Sequence, residues 1–167
     1  RKELPPLTPE QETAYQSLLQ DYQKKEVSTA LLYGVTGSGK TQVYLKLIAK
    51  AVEEGRQAIV LVPEISLTPQ AIAAFTAVFG DKVAIQHSGL SLGERMDQWK
   101  KIRAGQVSIA VGTRSAIFAP FRNLGLIIID EEQEHTYKSE ASPRFHARDV
   151  ARFRSAQNNC LLVLASA

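Results

Sequence analysis

Short apolar runs alternate with longer segments of mixed polarity along the whole chain. The runs Thr29–Tyr33, Ala58–Val62, Val83–Gln86, Val107–Val111, Leu126–Ile129 and Leu161–Leu164 are rich in Val, Ile and Leu. Each is bounded by turn or polar residues, so they read as buried strands. Helical spacing fills the gaps. Thr8-Pro9 opens a helix to about Lys25, with Thr8 as N-cap and Pro9 at the first helical position. Lys40–Glu54 places Val43, Tyr44, Leu47, Ile48 and Ala51 at intervals of three and four, and Gly55 stops it. Thr68-Pro69 caps a helix through Phe79, ended by Gly80. Ser91 with Glu94 makes a capping box for the helix holding Trp99, and a last helix spans His146–Ala156. This alternation predicts an α/β fold, a three-layer sandwich of a mostly parallel sheet with helices on both faces. The least regular stretch is Glu131–Phe145, polar and charged, with Pro143 inside it. Long ordered loops of that kind tend to carry function.

Composition narrows the class but does not choose a function. The 167 residues fit one domain, 1–167, and 44% hydrophobic with 22% charged excludes a disordered chain. The single Cys160 excludes an internal disulfide and any multi-cysteine zinc site within the chain. No apolar run approaches the ~20 residues needed to cross a bilayer, and the N-terminus lacks a signal-peptide pattern. A cytoplasmic protein without membrane association is therefore expected. The formal net charge of +3 is too small to argue for an anionic partner by itself.

Chemistry enters at Gly34-Val35-Thr36-Gly37-Ser38-Gly39-Lys40-Thr41, a full G-x-x-x-x-G-K-[ST] pattern between a strand and an amphipathic helix. Such a loop wraps tightly, so that its N–H groups and the helix N-terminus point at phosphate oxygens. Lys40 is placed to contact the β- and γ-phosphates, and the Thr41 hydroxyl to ligate Mg²⁺. The bland alternative is a glycine-rich turn. A second buried strand, Leu126–Ile129, runs into Asp130-Glu131-Glu132-Gln133. There Asp130 would hold Mg²⁺ through water, and Glu131 would orient and deprotonate the attacking water. The alternative is a solvated acidic turn. Together the two elements imply hydrolysis of a nucleoside triphosphate, with ATP and Mg²⁺ as substrate and cofactor.

The segments between and around these elements resemble superfamily 2 DNA helicases, and among them the replication-restart (primosomal) helicases. The resemblance runs from Leu7 to Ala167 through LTPEQ (7–11), GVTGSGKT (34–41), VPEISLTPQ (62–70), HSGLS (87–91), GTRSAIFAPF (112–121), LGLIIIDEE (124–132), RFHARDVA (144–151) and ASA (165–167). It implies a RecA-like lobe. It also implies that Gln11 recognises adenine, although Thr8-x-x-Gln11 is equally a capping box and the two roles can coexist. VPEISLTPQ and GTRSA would then lie on the single-stranded DNA backbone, with Thr113, Arg114 and Ser115 holding phosphates. The alternative for Arg114 is a surface ion pair. His87 would be a nucleic-acid or interlobe contact, or an ordinary loop histidine. The stretch 134–145 resembles the family's aromatic-rich loop, which relays DNA contact to the ATP site. It offers Tyr137 and Phe145 for stacking, Lys138 and Arg144 for phosphates, and His146 beside them. The alternative is a charged loop whose aromatics anchor it to the core. This chain has Gln133 where the family usually has histidine, with His135 nearby, and no tryptophan in the loop.

In such helicases a second lobe supplies an arginine finger worth ~10³–10⁵ in rate. The chain ends at Ala165-Ser166-Ala167, inside the third motif, so it is expected to be a first lobe cut from a larger protein. The zinc-binding cysteines of the family belong to the part beyond it. The partners implied are single-stranded and forked DNA, primosome and replication-restart proteins, and single-strand DNA-binding protein. Another superfamily 2 DNA translocase is the alternative, and a P-loop small-molecule kinase a more distant one.

Overall fold

The computed structural model describes residues 3–33, 35, 39–87, 89–131, 138–139 and 145–166, with Lys138 and Ser139 described by backbone only. Six parallel strands form the sheet: β1 (Ser28–Leu32), β2 (Gln57–Leu61), β3 (Val83–Gln86), β4 (Ile109–Gly112), β5 (Leu124–Ile129) and β8 (Leu161–Ala165). Their order across the sheet is β1-β8-β5-β2-β4-β3. A two-stranded antiparallel ribbon, β6 (Lys138–Ser139) with β7 (Phe145–His146), stands apart from it. The helices are α1 (Pro9–Gln23), α2 (Gly39–Glu53), α3 (Pro69–Phe79), α4 (Leu92–Arg103) and α5 (Ala147–Asn158).

Strand alternation divides the core between two faces. Ala58, Val60, Ile109, Val111, Leu126, Ile128 and Val163 pack with residues of α1, α2 and α3. Ile59, Leu61, Ala110, Ile127, Ile129, Leu162 and Leu164 pack with Ile102 of α4 and with Ala147 and Ala151 of α5. Every residue of β4, β5 and β8 is buried, as parallel strands covered on both sides require. Reading the first run as a fully buried strand is corrected here. β1 lies at the sheet edge, and Leu31 and Tyr33 are 54% and 61% exposed. Only its Ala30 and Leu32 side reaches the core, packed with residues of α1 and α2, while the opposite side with Leu31 stays open.

Caps set the helix starts. Thr8 and Ser91 both close reciprocal capping boxes, with Gln11 and Glu94 respectively, and the Thr68 hydroxyl accepts from the Ala71 N–H. α1 stops two residues short of the expected Lys25, which takes φ 54° and turns the chain into β1. Among the described residues, the short 3-10 turns Glu64–Ser66, Gly80–Lys82 and Arg114–Phe118 and the β6–β7 ribbon give no periodic signal, each being too short to repeat a helical pattern or to sustain a strand alternation. Polar bonds also lock the helices to the sheet and to one another. Buried Gln86 of β3 donates from its amide to Gln98 and accepts from the Trp99 indole N–H, fixing α4. Tyr22 of α1 donates to Glu54 at 2.9 Å, and the Lys25 ammonium pairs with the same carboxylate. Burial, together with the Glu54 contact, raises the Tyr22 phenol well above its usual range, so the hydroxyl keeps its proton to donate at any ordinary pH.

Candidate nucleotide and nucleic-acid site

In a parallel sheet the loops after the strands share one edge, where ligands bind at points of strand-order reversal. The strand order therefore fixes the order of the motifs along that edge. The phosphate-loop segment follows β1, Ser166 follows β8, Asp130-Glu131 follows β5, Val62-Pro63 follows β2, Gly112-Thr113 ends β4 and His87 follows β3. With strands ~4.8 Å apart, the two extremes stand roughly 24 Å from one another. The nucleotide motifs occupy one end and the candidate DNA loops the other.

At the nucleotide end Lys40, in the first turn of α2, has a side chain only 7% exposed. Its Nζ lies 3.1 Å from Asp130 Oδ1 and 3.4 Å from Glu131 Oε1. Adjacent residues of an extended strand point to opposite sides, so two neighbouring carboxylates do not ordinarily meet one ammonium. The backbone solves this at Glu131, which adopts φ 52°. The Asp130 N–H still bonds to Leu61 O as in the sheet, and the next residue turns sharply. A non-glycine residue in the left-handed region costs ~1–2 kcal/mol, a kind of strain that clusters at functional positions. The Tyr44 hydroxyl donates to Asp130 Oδ1 at 2.6 Å.

Gln11 serves its capping box and reaches further. Its Oε1 accepts from the Thr8 N–H at 2.8 Å, and its Nε2 donates to Gly39 O at 3.0 Å. A Cβ at Gly39 would sit 3.0 Å from Val35 Cγ1 and 3.2 Å from Gln11 Nε2, a tight fit that those two side chains would have to relieve by a few tenths of an ångström. The amide keeps one further N–H and one lone pair for a ligand. Val35 is buried and Thr41 half-buried. Gly34, Thr36, Gly37 and Ser38 lie outside the described residues.

At the other end, Gly112 closes β4 against β3. A Cβ there would lie 2.1 Å from Gln86 O, so only glycine permits the strands to run together into this loop. The Thr113 N–H donates to Gln86 O, and the 3-10 turn Arg114–Phe118 follows. That turn buries Ala116 and Ile117, exposes Arg114 and Phe118, and leaves Thr113 and Ser115 half-buried. Arg154 of α5 grips the turn from beneath, its guanidinium donating to Ile117 O and Ala119 O at 2.7 Å each and to Phe121 O at 3.4 Å. Burial lowers the Arg154 pKa from its very high ordinary value, and the carbonyls compensate the charge. Phe145 is half-buried and meets Phe118 edge-on, ring centroids 5.1 Å apart. His146 caps α5, its Nδ1 accepting from the Arg148 N–H. The VPEISLTPQ and HSGLS segments come together around a hollow of about 380 Å³ lined by Glu64, Leu67, Pro69, Ile72, His87 and Gly89. His87 also accepts from the Gly89 N–H at 3.0 Å. The Lys138 side chain, Gln133, His135, Tyr137 and Arg144 lie outside the described residues.

Sequence reasoning missed three side chains that this geometry brings in. Tyr44 was assigned to the apolar face of α2, and its spacing of four from Lys40 is the signal that could have placed it beside the acidic strand end. Phe118 sits inside GTRSAIFAPF but was given no role. Arg154 carried no local signal, since its partners are main-chain carbonyls over thirty residues away.

A parallel sheet with the phosphate-loop sequence between β1 and α2 and an acidic strand end places the chain in the class of P-loop nucleoside triphosphatases. Residues 8–167 match the DEAD/DEAH box helicase family, and the chain belongs to it. It is 54% identical over 162 residues to the replication restart protein PriA of Bacillus subtilis and 49% identical over 166 residues to PriA of Synechocystis. Those alignments cover 97% and 98% of this chain but 20% and 19% of the relatives, so the chain spans about a fifth of their length. Among solved structures, RecG bound to a three-way DNA junction superposes with TM-score 0.71 and 27% identity, covering 96% of this chain and 21% of RecG. The UvsW helicase of bacteriophage T4 shares the fold at TM-score 0.64 and 16% identity, covering 100% of this chain and 54% of that one.

Proposed function

We propose that the chain is the first RecA-like, ATP-binding lobe of an ATP-dependent 3′→5′ DNA helicase acting in replication restart and primosome assembly at stalled forks. One observation carries the nucleotide half of this reading: a nearly buried Lys40 held between Asp130 and Glu131 at the head of a helix. A buried ammonium needs close negative partners. Phosphates could take over Lys40 and a divalent cation the carboxylates, so that neither charge would be left alone when the pair separates. Lys40 would pass to the β- and γ-phosphates, and Thr41 with Asp130 would hold Mg²⁺. Bound Mg²⁺ neutralises charge on the phosphate oxygens. Glu131, turned inward by its left-handed backbone, orients and deprotonates the attacking water. The glycines of the Gly34–Gly39 sequence would let backbone N–H groups reach the phosphates, and Gln11 would read adenine with the amide capacity left by its cap.

The nucleic-acid half rests on the loops at the far end of the same edge. Thr113, Arg114 and Ser115 hold backbone phosphates, with Lys138, Arg144 and Phe145 adding contacts from the ribbon region. Likeness to PriA proteins, and to a RecG structure bound to a branched junction, supports forked DNA as the substrate. The protein partners are then primosome components and single-strand DNA-binding protein, and the compartment is the cytoplasm. Among the described residues no helix is long and apolar enough to cross a membrane. Zinc belongs to the longer protein, since the one cysteine here, Cys160, is buried in the core.

ATP hydrolysis by the full-length protein tests this reading. A fork with a 3′ end at the branch is expected to stimulate turnover more than plain single strand. No preference for the fork would move the assignment to another superfamily 2 translocase. The isolated lobe is expected to bind nucleotide weakly and turn over little, lacking an arginine finger. Robust DNA-stimulated hydrolysis by the lobe alone, abolished in Lys40→Ala, would overturn that part.

A further inference from the structure

Tyr44 lies one helical turn beyond Lys40, so both side chains leave α2 on the same face. Its ring is 2% exposed and belongs to the core that joins α2 to the sheet. Its hydroxyl donates to Asp130 Oδ1 at 2.6 Å, while Lys40 Nζ stands 3.1 Å from the same oxygen. One helix thus supplies two donors to one carboxylate oxygen, one charged and one neutral.

The two donors are not equivalent. An ammonium on a flexible stem can turn to phosphate when nucleotide enters, whereas a ring packed in the core keeps its hydroxyl in place. Phenylalanine would fill the same volume and satisfy the same apolar spacing. The hydroxyl is therefore surplus to packing, and as a buried polar group it needs the partner it has.

We propose that Tyr44 is a positioning residue for Asp130, holding the carboxylate in its metal-binding orientation after Lys40 has moved to phosphate, and so setting the Mg²⁺ affinity of the nucleotide complex. This rests on the reading of Lys40, Thr41 and Asp130 as a Mg²⁺–nucleotide site.

The test is Tyr44→Phe, with binding of a fluorescent ADP followed across a Mg²⁺ titration and again in excess chelator. Groups that orient metal ligands typically change metal affinity about 10–100-fold, and the half-saturating Mg²⁺ concentration should rise by that amount. Affinity in chelator should stay within about twofold of the parent, as should that of any site not sharing the contact. An unchanged Mg²⁺ titration overturns the proposal. So does an equal loss with and without Mg²⁺, the signature of a general disturbance of α2. A second comparison isolates the route: Tyr44→Phe added to Asp130→Asn should produce no further shift, and full additivity overturns action through Asp130. If the parent binds no nucleotide in either arm, the P-loop reading fails and this assignment falls with it.

Discussion

Replacing Arg154 by methionine removes a guanidinium that makes two 2.7 Å bonds and one of 3.4 Å to the carbonyls of Ile117, Ala119 and Phe121. Methionine keeps most of the apolar stem, so the perturbation is nearly confined to those bonds. Ile117, Ala119 and Phe121 are all buried, so water cannot take over freely. Ala119 O retains the N–H of Phe121 at 2.8 Å, which leaves Ile117 O as the carbonyl that loses most. A bond to a charged donor contributes ~1.5–3 kcal/mol, and an acceptor left dry costs ~1–3 kcal/mol. Counting one full loss and one partial loss gives about 2–4 kcal/mol. For a domain of this size each kcal/mol moves Tm by ~2–4 °C, so Arg154→Met should melt roughly 4–16 °C below the parent. Arg154→Lys, with a single compact ammonium in place of the fork, should fall between. The damage should also be local. The turn Arg114–Phe118 loses its support while α2 and Asp130 do not, so affinity for single-stranded DNA, read by fluorescence anisotropy, should fall while nucleotide affinity holds. A variant melting within a degree of the parent would show that the carbonyls find other partners and would refute the reasoning. Equal losses of DNA and nucleotide binding would refute the local assignment.

Gly112→Ala forces a Cβ to 2.1 Å from Gln86 O, a clash with backbone that no rotamer relieves. It should exceed the ~1–3 kcal/mol typical of core overpacking and pull β3 from β4, which denaturant melts and hydrogen exchange at Ile85 and Val111 would report. Unchanged exchange there would count against the packing argument. Glu54 predicts an acid dependence. The Lys25 hydrogen bond, with help from Tyr22 and Lys50, holds its carboxyl below the usual range. Its contribution is therefore full above about pH 4.5, near the unfolded glutamate value, and is lost as pH falls through the lower folded pKa. The Tm gap between parent and Glu54→Gln should be widest near neutrality and close in acid. A gap constant down to pH 3 would exclude the ion pair as its source.

Much of the fold was legible because its signals are local and repeated. Thr8, Thr68 and Ser91 announced three helix starts, and their side chains cap those helices. Val/Ile/Leu runs located every strand of the main sheet to within a few residues. What stayed hidden depends on neighbours distant in sequence. Exposure of Leu31 and Tyr33 follows from β1 being an edge, and edge status is a property of strand order, not of the run itself. The site divides in the same way. Lys40, Asp130 and Glu131 were marked by motif, yet their meeting depends on φ at Glu131, which no residue type announces. Tyr44 was hidden by its own apolarity, and Arg154 because its partners are carbonyls that every residue carries.

Strand order also bears on how the two ends of the site can influence one another. β2 lies between β5, which ends in the acidic pair, and β4, which ends in the Gly112-Thr113 loop. It bonds to both at their last residues: Asp130 N–H to Leu61 O, and Val62 N–H to Gly112 O. A second route runs outside the sheet. Phe145 leads into α5 through the His146 cap and touches Phe118, and Arg154 of that helix holds the carbonyls beneath Phe118. The first route is a rigid ladder of backbone bonds in the buried centre of the sheet. The second is one aromatic pair, worth ~0.5–1.5 kcal/mol beyond its burial, and a set of side-chain bonds. Side-chain contacts give way more cheaply than the ladder, so under the proposed function the turn Arg114–Phe118 is expected to respond through the second route sooner than through the sheet. Phe118→Ala should weaken DNA stimulation of ATP hydrolysis in the full-length protein more than it weakens DNA binding itself. Equal losses in both would return the ladder as the path.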